Sequence, residues 1–191
     1  MENADRRRGV PINTVTYDER TVADQIGTAL YLQKLCGRSL MQDREICTLL
    51  DGLDLHIEAT QSAMVRAGIV NECAACAVTG EGTCCGVRTG YKYSSVLLLI
   101  NLLLGSALPL APDDQRLCHF LTKQGCSLRA RHVICVNFIC QRLRDVIPHN
   151  SLCNVQDIAG GEIDTLFALE ECIKKKIGAA LLVRAQKQWM Y

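Results

Sequence analysis

Val96-Leu97-Leu98-Leu99-Ile100-Asn101-Leu102-Leu103-Leu104 is the most apolar run in the chain. A helix that crosses a bilayer needs roughly twenty apolar residues. This run has nine, carries Asn101, and is closed by Gly105, Ser106, Pro109 and Pro112. A short helix that is hydrophobic on every side has other helices around it. The run is therefore expected to be the central buried helix of a bundle, outside any membrane.

Cysteines flank it on both sides. Upstream stand Cys73-Ala74-Ala75-Cys76, then seven residues containing Gly80 and Gly82, then Cys84-Cys85-Gly86. Downstream stand Cys118, Cys126, Cys135 and Cys140. The glycines argue that residues 73–85 are loop rather than helix. Eight of the twelve cysteines thus fall within residues 73–140.

The rest of the chain reads as helix. Thr21 with Asp24 forms a capping pair, followed by Val22, Ile26, Ala29, Leu30, Leu32 and Leu35, with Gly37 as the stop. Ser39 and Gln42 offer a second capping pair, for a helix to about Ala67. Its Ile46, Leu50, Leu53, Ile57 and Met64 make one continuous stripe, and Gly68 ends it. Asp113 or Asp114 is expected to cap a helix presenting Cys118. Another helix is expected from Ser127 to Val146, packed through Val133, Ile134, Phe138 and Leu143 and ended by Pro148. A last one runs from about Ile158 to Lys187 with Ile163, Phe167, Ile173, Ile177 and Leu181 buried and Lys174-Lys175-Lys176 solvated. No strand alternation and no internal repeat is visible. The expectation is an all-α bundle of five or six helices in one domain, residues 21–191, behind an arm over residues 1–20.

The chain has 191 residues, 49% apolar and 5% aromatic, with a formal charge of +1. That balance gives no basic stripe and argues against nucleic acid as a partner. The arm has Arg6-Arg7-Arg8 but no apolar stretch after it, so no secretory signal is read there. The expected compartment is the cytoplasm, where thiols stay reduced and cysteine clusters serve metals or redox chemistry.

Thiolates are soft ligands that select zinc, copper(I) or iron–sulfur centres, and a C-x2-C unit serves zinc and iron–sulfur alike. The candidate ligands are Cys73, Cys76, Cys84, Cys85, Cys118, Cys126, Cys135 and Cys140. Adjacent Cys84 and Cys85 are expected to point in different directions. His119 and His132 lie inside the same window and are alternative ligands. His56 and Glu58 are two residues apart and make no H-E-x-x-H site. Cys36, Cys47, Cys153 and Cys172 stand singly in helical patterns and read as small buried hydrophobes. More thiols are present than one zinc needs, and the apolar run offers a shield from water. Both features favour an iron–sulfur cluster, [4Fe–4S] in type, over zinc. The expected role is redox or sensing, with the helices docking a protein partner. The alternatives are a structural zinc module for protein interaction and an enzyme working through the metal. No P-loop, G-x-G-x-x-G or G-x-S-x-G supports the enzyme.

The order C-x2-C, Cys84-Cys85, Cys118-His119-Phe120-Leu121, Gly125-Cys126, then Arg131 and Cys135 resembles the zinc- or iron-chelating domain family of the CxxCxxCC type. The resemblance covers residues 73–140. It implies a small cytoplasmic bacterial metal protein, with flagellin lysine methylase related through the same motif. The chain departs from that pattern in the seven residues between Cys76 and Cys84 and in His132, which stands where the family has proline. Cys84-Cys85-Gly86 with Cys118 also resembles, more distantly, the cysteine-rich domain of heterodisulfide-reductase-like subunits. There Leu121 stands in place of the closing cysteine.

Overall fold

The structure, a computed structural model, describes residues 21–79, 83–178 and 181. The expected arm, Gly80 and Gly82, and the expected helix end beyond 178 apart from Leu181 lie outside them. The protein is all-α: eight helices and one two-stranded hairpin are described.

Helix α1 (Val22–Leu40) opens as its sequence dictates. Thr21 Oγ1 accepts from the Asp24 amide and the Asp24 carboxylate accepts from the Thr21 amide at 2.8 Å. It buries Val22, Ile26, Ala29 and Leu32, leaves Leu30 and Leu35 exposed, and runs past Gly37. Gly37 keeps a right-handed helical neighbourhood and is no stop; Met41 is the C-cap.

Helix α2 (Arg44–Arg66) starts on Asp43, whose carboxylate accepts from the amides of Glu45 and Ile46. The Ser39–Gln42 pair is not the cap: Ser39 still belongs to α1 and turns its hydroxyl back to the Cys36 carbonyl. All five expected core positions of α2 are buried. Gly68, at φ +80°, turns the chain out of it into α3 (Ile69–Thr79). This overturns the expected loop from residue 73. Ala74, Ala75, Ala77 and Val78 supply helix propensity as far as Thr79, and the glycines come only after it.

Helix α4 (Val87–Gly90) is one turn. The apolar run then forms α5 (Ser95–Leu103), capped by the Ser94 hydroxyl, with Leu98, Leu99, Ile100 and Asn101 fully buried. Each such aliphatic side chain removes water-exposed area worth about 1.5–3 kcal/mol. The centre of the bundle lies here, with α1 packed along α5.

Beyond α5 the expected helices dissolve. No helix presents Cys118. Asp114 instead accepts from the Arg116 amide and guanidinium, closing a local turn. A hairpin follows, β1 (Leu121–Thr122) antiparallel to β2 (Gly125–Cys126), with Gly125 at φ +109°. The expected long helix from Ser127 is two short ones, α6 (Val133–Asn137) and α7 (Gln141–Val146), separated where Phe138 turns extended. Val133 and Phe138 are exposed; Leu143 is buried.

Pro148 opens rather than ends a helix: α8 (His149–Ile177) begins on it, since proline's missing N–H costs nothing at a helix start. Starting there sets the packing face as Leu152, Val155, Ala159, Glu162, Leu166, Leu169 and Ile173, leaving Phe167 exposed. α8 packs along α2, the most extensive helix pair in the fold. Lys176 reaches Asp43 at 2.6 Å and Glu45 at 3.2 Å, while Lys174 pairs with Glu170 and Glu171.

Two cores result. The larger joins α1, α5 and parts of α2 and α8 with Tyr93, Cys118, Phe120, Leu128 and Ala130. The smaller joins Ala63, Met64, Ile69, Val136, Leu143, Ile147, Leu152 and Val155. No described helix is long and apolar enough to cross a membrane.

Candidate metal centre

The upstream and downstream cysteine segments meet through their backbones. Gly86 bridges Leu117 in antiparallel fashion, and the Cys118 amide donates to the Cys85 carbonyl at 2.7 Å. This places Cys84-Cys85 beside Cys118. The chain continues through Phe120, whose carbonyl accepts from the Ser127 amide at 2.8 Å, so the hairpin folds Cys126 back over the same spot. At Gly90 a Cβ would stand 3.3 Å from the His119 side chain, so a glycine permits this close approach.

Tyr93, just before α5, ties in the third segment. Its buried ring meets Phe120 edge to face at 4.9 Å. Its hydroxyl accepts from the His132 amide at 3.2 Å and lies 3.6 Å from Cys135 Sγ. Asn101 of α5 holds Ala130 in the same loop. Cys118 and Cys135 therefore rest on the larger core, Cys73 and Cys140 on the smaller.

The thiols feel one another's charge. Burial pushes the Cys73 thiol up to about 11, helped by Cys84, Cys140 and Cys76. Burial likewise lifts Cys118 to about 11, with Cys126 and Cys135 adding to it. Cys135 is raised by burial and by Cys126 and Cys84, against the lowering effect of Tyr93 and Arg131. Cys126 is solvent-exposed as a residue, yet protein packed round its sulfur raises its thiol too. Interaction with the neighbouring Cys85 thiol draws Cys84 down to about 6, and the same interaction, with burial, pushes Cys85 far up. The eight thiols thus sort into two neighbourhoods that share Cys84. One holds Cys85, Cys118, Cys126 and Cys135; the other holds Cys73, Cys76 and Cys140.

All twelve cysteines are free. Among the described residues, no group of three or more thiol, imidazole or carboxylate side chains stands in an arrangement that would hold a metal ion. The donor chemistry fits a soft metal; a preformed coordination shell is not there. The histidines in the window are occupied. His119 Nε2 is 2.8 Å from the Pro109 carbonyl, and His132 Nδ1 caps α6 by accepting from the Ile134 amide. His56 sits exposed against the Thr165 hydroxyl at 2.9 Å.

One participant, Tyr93, was not singled out by sequence: separated from the apolar run by Ser94-Ser95, it carries no spacing that marks it as buried. Arg131, quoted above only for the resemblance, is the cation facing Cys73, Cys126 and Cys135. Its Nη2 contacts Met64 Sδ at 3.5 Å, and its Nε is buried with no partner among the described residues. Of two described cavities, one lies between the start of α2 and the end of α8, the other beside the start of α8. Neither is lined by any of the eight cysteines.

Comparisons with family models, with curated proteins and with solved structures find no match to this chain.

Proposed function

We propose that the protein is a thiolate metal-binding protein, holding an iron–sulfur cluster or zinc between the two cysteine segments in a redox, sensing or accessory role. The observation that supports this reading is that three cysteine segments are tied together: the Cys118 amide donates to the Cys85 carbonyl at 2.7 Å, the hairpin after Cys118 carries Cys126, and Cys135 Sγ lies 3.6 Å from the hydroxyl of Tyr93, whose ring packs on Phe120. Crowded thiols oppose each other's ionisation, and a bound cation reverses that opposition, so loading releases protons and favours higher pH. The residues that would hold the metal are among Cys73, Cys76, Cys84, Cys85, Cys118, Cys126, Cys135 and Cys140. Arg131 would offset part of the negative charge of a thiolate-ligated centre.

Because no described group is arranged to hold a metal, loading must draw the thiols together. Of the eight, Cys126 stands on the two-stranded hairpin, Cys135 on α6 and Cys140 at the start of α7, short elements with few backbone hydrogen bonds of their own to lose by moving. The enzyme reading has no support from either described cavity.

The test is anaerobic purification followed by a visible spectrum and analysis for iron, sulfide and zinc. Broad visible absorption with iron and sulfide is the expected result. Stoichiometric zinc without colour would favour the structural-zinc, interaction-module reading. No stoichiometric metal under either condition would sink the proposal.

A further inference from the structure

One cysteine outside the eight, Cys153, lies near the start of α8. His149 and Cys153 are one helical turn apart, so their side chains share a face, and Cys153 Sγ lies 3.5 Å from His149 Nε2. Both line a cavity of about 400 Å³, within the size range of small-molecule sites. Phe138 and Ile139 give it an apolar wall and Arg144 of α7 a cation. Its rim is held by Gln156, which donates to the Asn137 carbonyl at 3.2 Å and to the Asn137 side chain at 3.1 Å.

The other isolated cysteines are built differently. Cys36 donates to the Leu32 carbonyl and Cys47 to the Met41 carbonyl, which ties each thiol to backbone. Burial, with the neighbouring Glu45 carboxylate adding to it, disfavours a thiolate at Cys172. Among the four, Cys153 is the one set against both an imidazole and a cavity with a cation in its wall.

We propose that Cys153 is a thiol-exchange site, with His149 as its base, that takes the disulfide of a small carboxylate-bearing thiol whose carboxylate Arg144 receives. The step balances without a further reagent. The Cys153 S–H proton passes to His149 Nε2, and the thiolate attacks one sulfur of the incoming R–S–S–R. The old S–S bond breaks as Cys153–S–S–R forms, and the departing thiolate leaves as R–SH with the proton from His149. Cys153 is oxidised to the mixed disulfide and one half of the reagent is reduced to thiol. None of these residues belongs to the proposed metal centre, so the two readings stand or fall separately.

The experiment treats the full protein with glutathione disulfide, quenches with iodoacetamide at intervals, and locates adducts by fragment mass spectrometry. Cys47 is the internal control. A positioned base contributes on the order of a hundredfold or more in proton-transfer steps. Cys153 is therefore expected to form its mixed disulfide at least about tenfold faster than Cys47. His149→Gln is expected to bring it down to the Cys47 rate while leaving Cys47 unchanged, which also shows that the variant is folded. Arg144→Gln is expected to slow the reaction with glutathione disulfide but not with cystamine, which has no carboxylate. Equal rates at Cys153 and Cys47, or a Cys153 rate indifferent to His149→Gln, overturn the site. Equal slowing of both disulfides by Arg144→Gln overturns the carboxylate assignment.

Discussion

The Asn101 carboxamide brackets Ala130. Its Nδ2 donates to the Ala130 carbonyl at 2.8 Å and its Oδ1 accepts from the Ala130 amide at 3.1 Å, both fully buried. A second bond from Nδ2 to the Leu97 carbonyl at 3.0 Å locks the side chain on α5. The one polar residue in the apolar run is thus the peg that holds the Cys126–Cys135 loop to the central helix.

Asn101→Leu keeps the branched shape and removes all three bonds, leaving the buried amide and carbonyl of Ala130 unpaired. Each such group costs about 1–3 kcal/mol, so the variant is expected to lose about 2–6 kcal/mol in urea denaturation. If the proposed centre is correct, metal content falls with it, because the loop carrying Cys126 and Cys135 is no longer held. A loss under about 0.5 kcal/mol would show that water replaces both bonds and that the peg has little weight.

Glu162 of α8 is the other buried polar residue with consequences. It is 1% exposed, and neither carboxylate oxygen has a hydrogen-bond partner among the described residues; the Thr60 hydroxyl of α2 faces it, also unpaired. Burial raises its pKa, opposed by Thr60, Arg131 and His56. A raised folded pKa means that stability is complete below the ordinary glutamate range near pH 4. It is lost as pH rises through the folded pKa, because the unfolded chain ionises first. Glu162→Gln removes that loss. It is expected to match the wild type near pH 4 and to exceed it in stability at pH 7, read by urea denaturation at both. A variant less stable at pH 7 would mean that Arg131 depends on the carboxylate.

The same residue shows where sequence reading succeeds and stops. The α2 stripe was legible because Ile46, Leu50, Leu53, Ile57 and Met64 repeat at helical spacing without interruption. On α8 the true face passes through Glu162, whose charge hides it, and Phe167 beside Leu166 offers a false continuation. The helix start was hidden as well, since Pro148 read as a terminator when it is an opener. The meeting of the two cysteine segments had no sequence signal of its own: a single bridge between Gly86 and Leu117 and a two-residue hairpin leave no periodicity to read.

Cys84 and Cys85 titrate as a unit. In metal-free protein the Cys84 thiol, lowered to about 6 chiefly by its hydrogen bond with Cys85, is expected to react with iodoacetamide with a midpoint near pH 6. Alkylation of Cys84 removes the partner that chiefly raises Cys85, so the second alkylation is then expected at a pH set by the burial of Cys85, above the ordinary thiol range. Cys85→Ala removes the donor and is expected to move the Cys84 midpoint toward the ordinary thiol value near 8.5. The measurement is the pH–rate profile of modification at Cys84 by mass spectrometry. A midpoint unchanged by Cys85→Ala would assign the lowering to the backbone amides instead.

The boundaries of the proposed centre follow from which thiols share charge. Cys36 and Cys47 are tied to helix carbonyls, Cys172 lies in the α2–α8 seam, and Cys153 faces its own cavity. Serine at any of these four is expected to leave stoichiometric metal in place. Serine at Cys84, Cys85, Cys118 or Cys135 is expected to weaken metal binding by more than tenfold, since loss of an outer partner alone costs about 10–100-fold and a ligand costs more. Cys84 belongs to both neighbourhoods, so its loss should empty the most metal whether the eight thiols form one centre or two. Metal analysis of each single variant, purified anaerobically, separates these cases. If Cys73, Cys76 and Cys140 prove dispensable while the other five are not, the centre is the single neighbourhood around Cys85, Cys118, Cys126 and Cys135. If both groups matter equally, Cys84 lies between two sites. Retention of full metal in Cys84→Ser and Cys118→Ser alike would place the centre elsewhere and end the convergence argument.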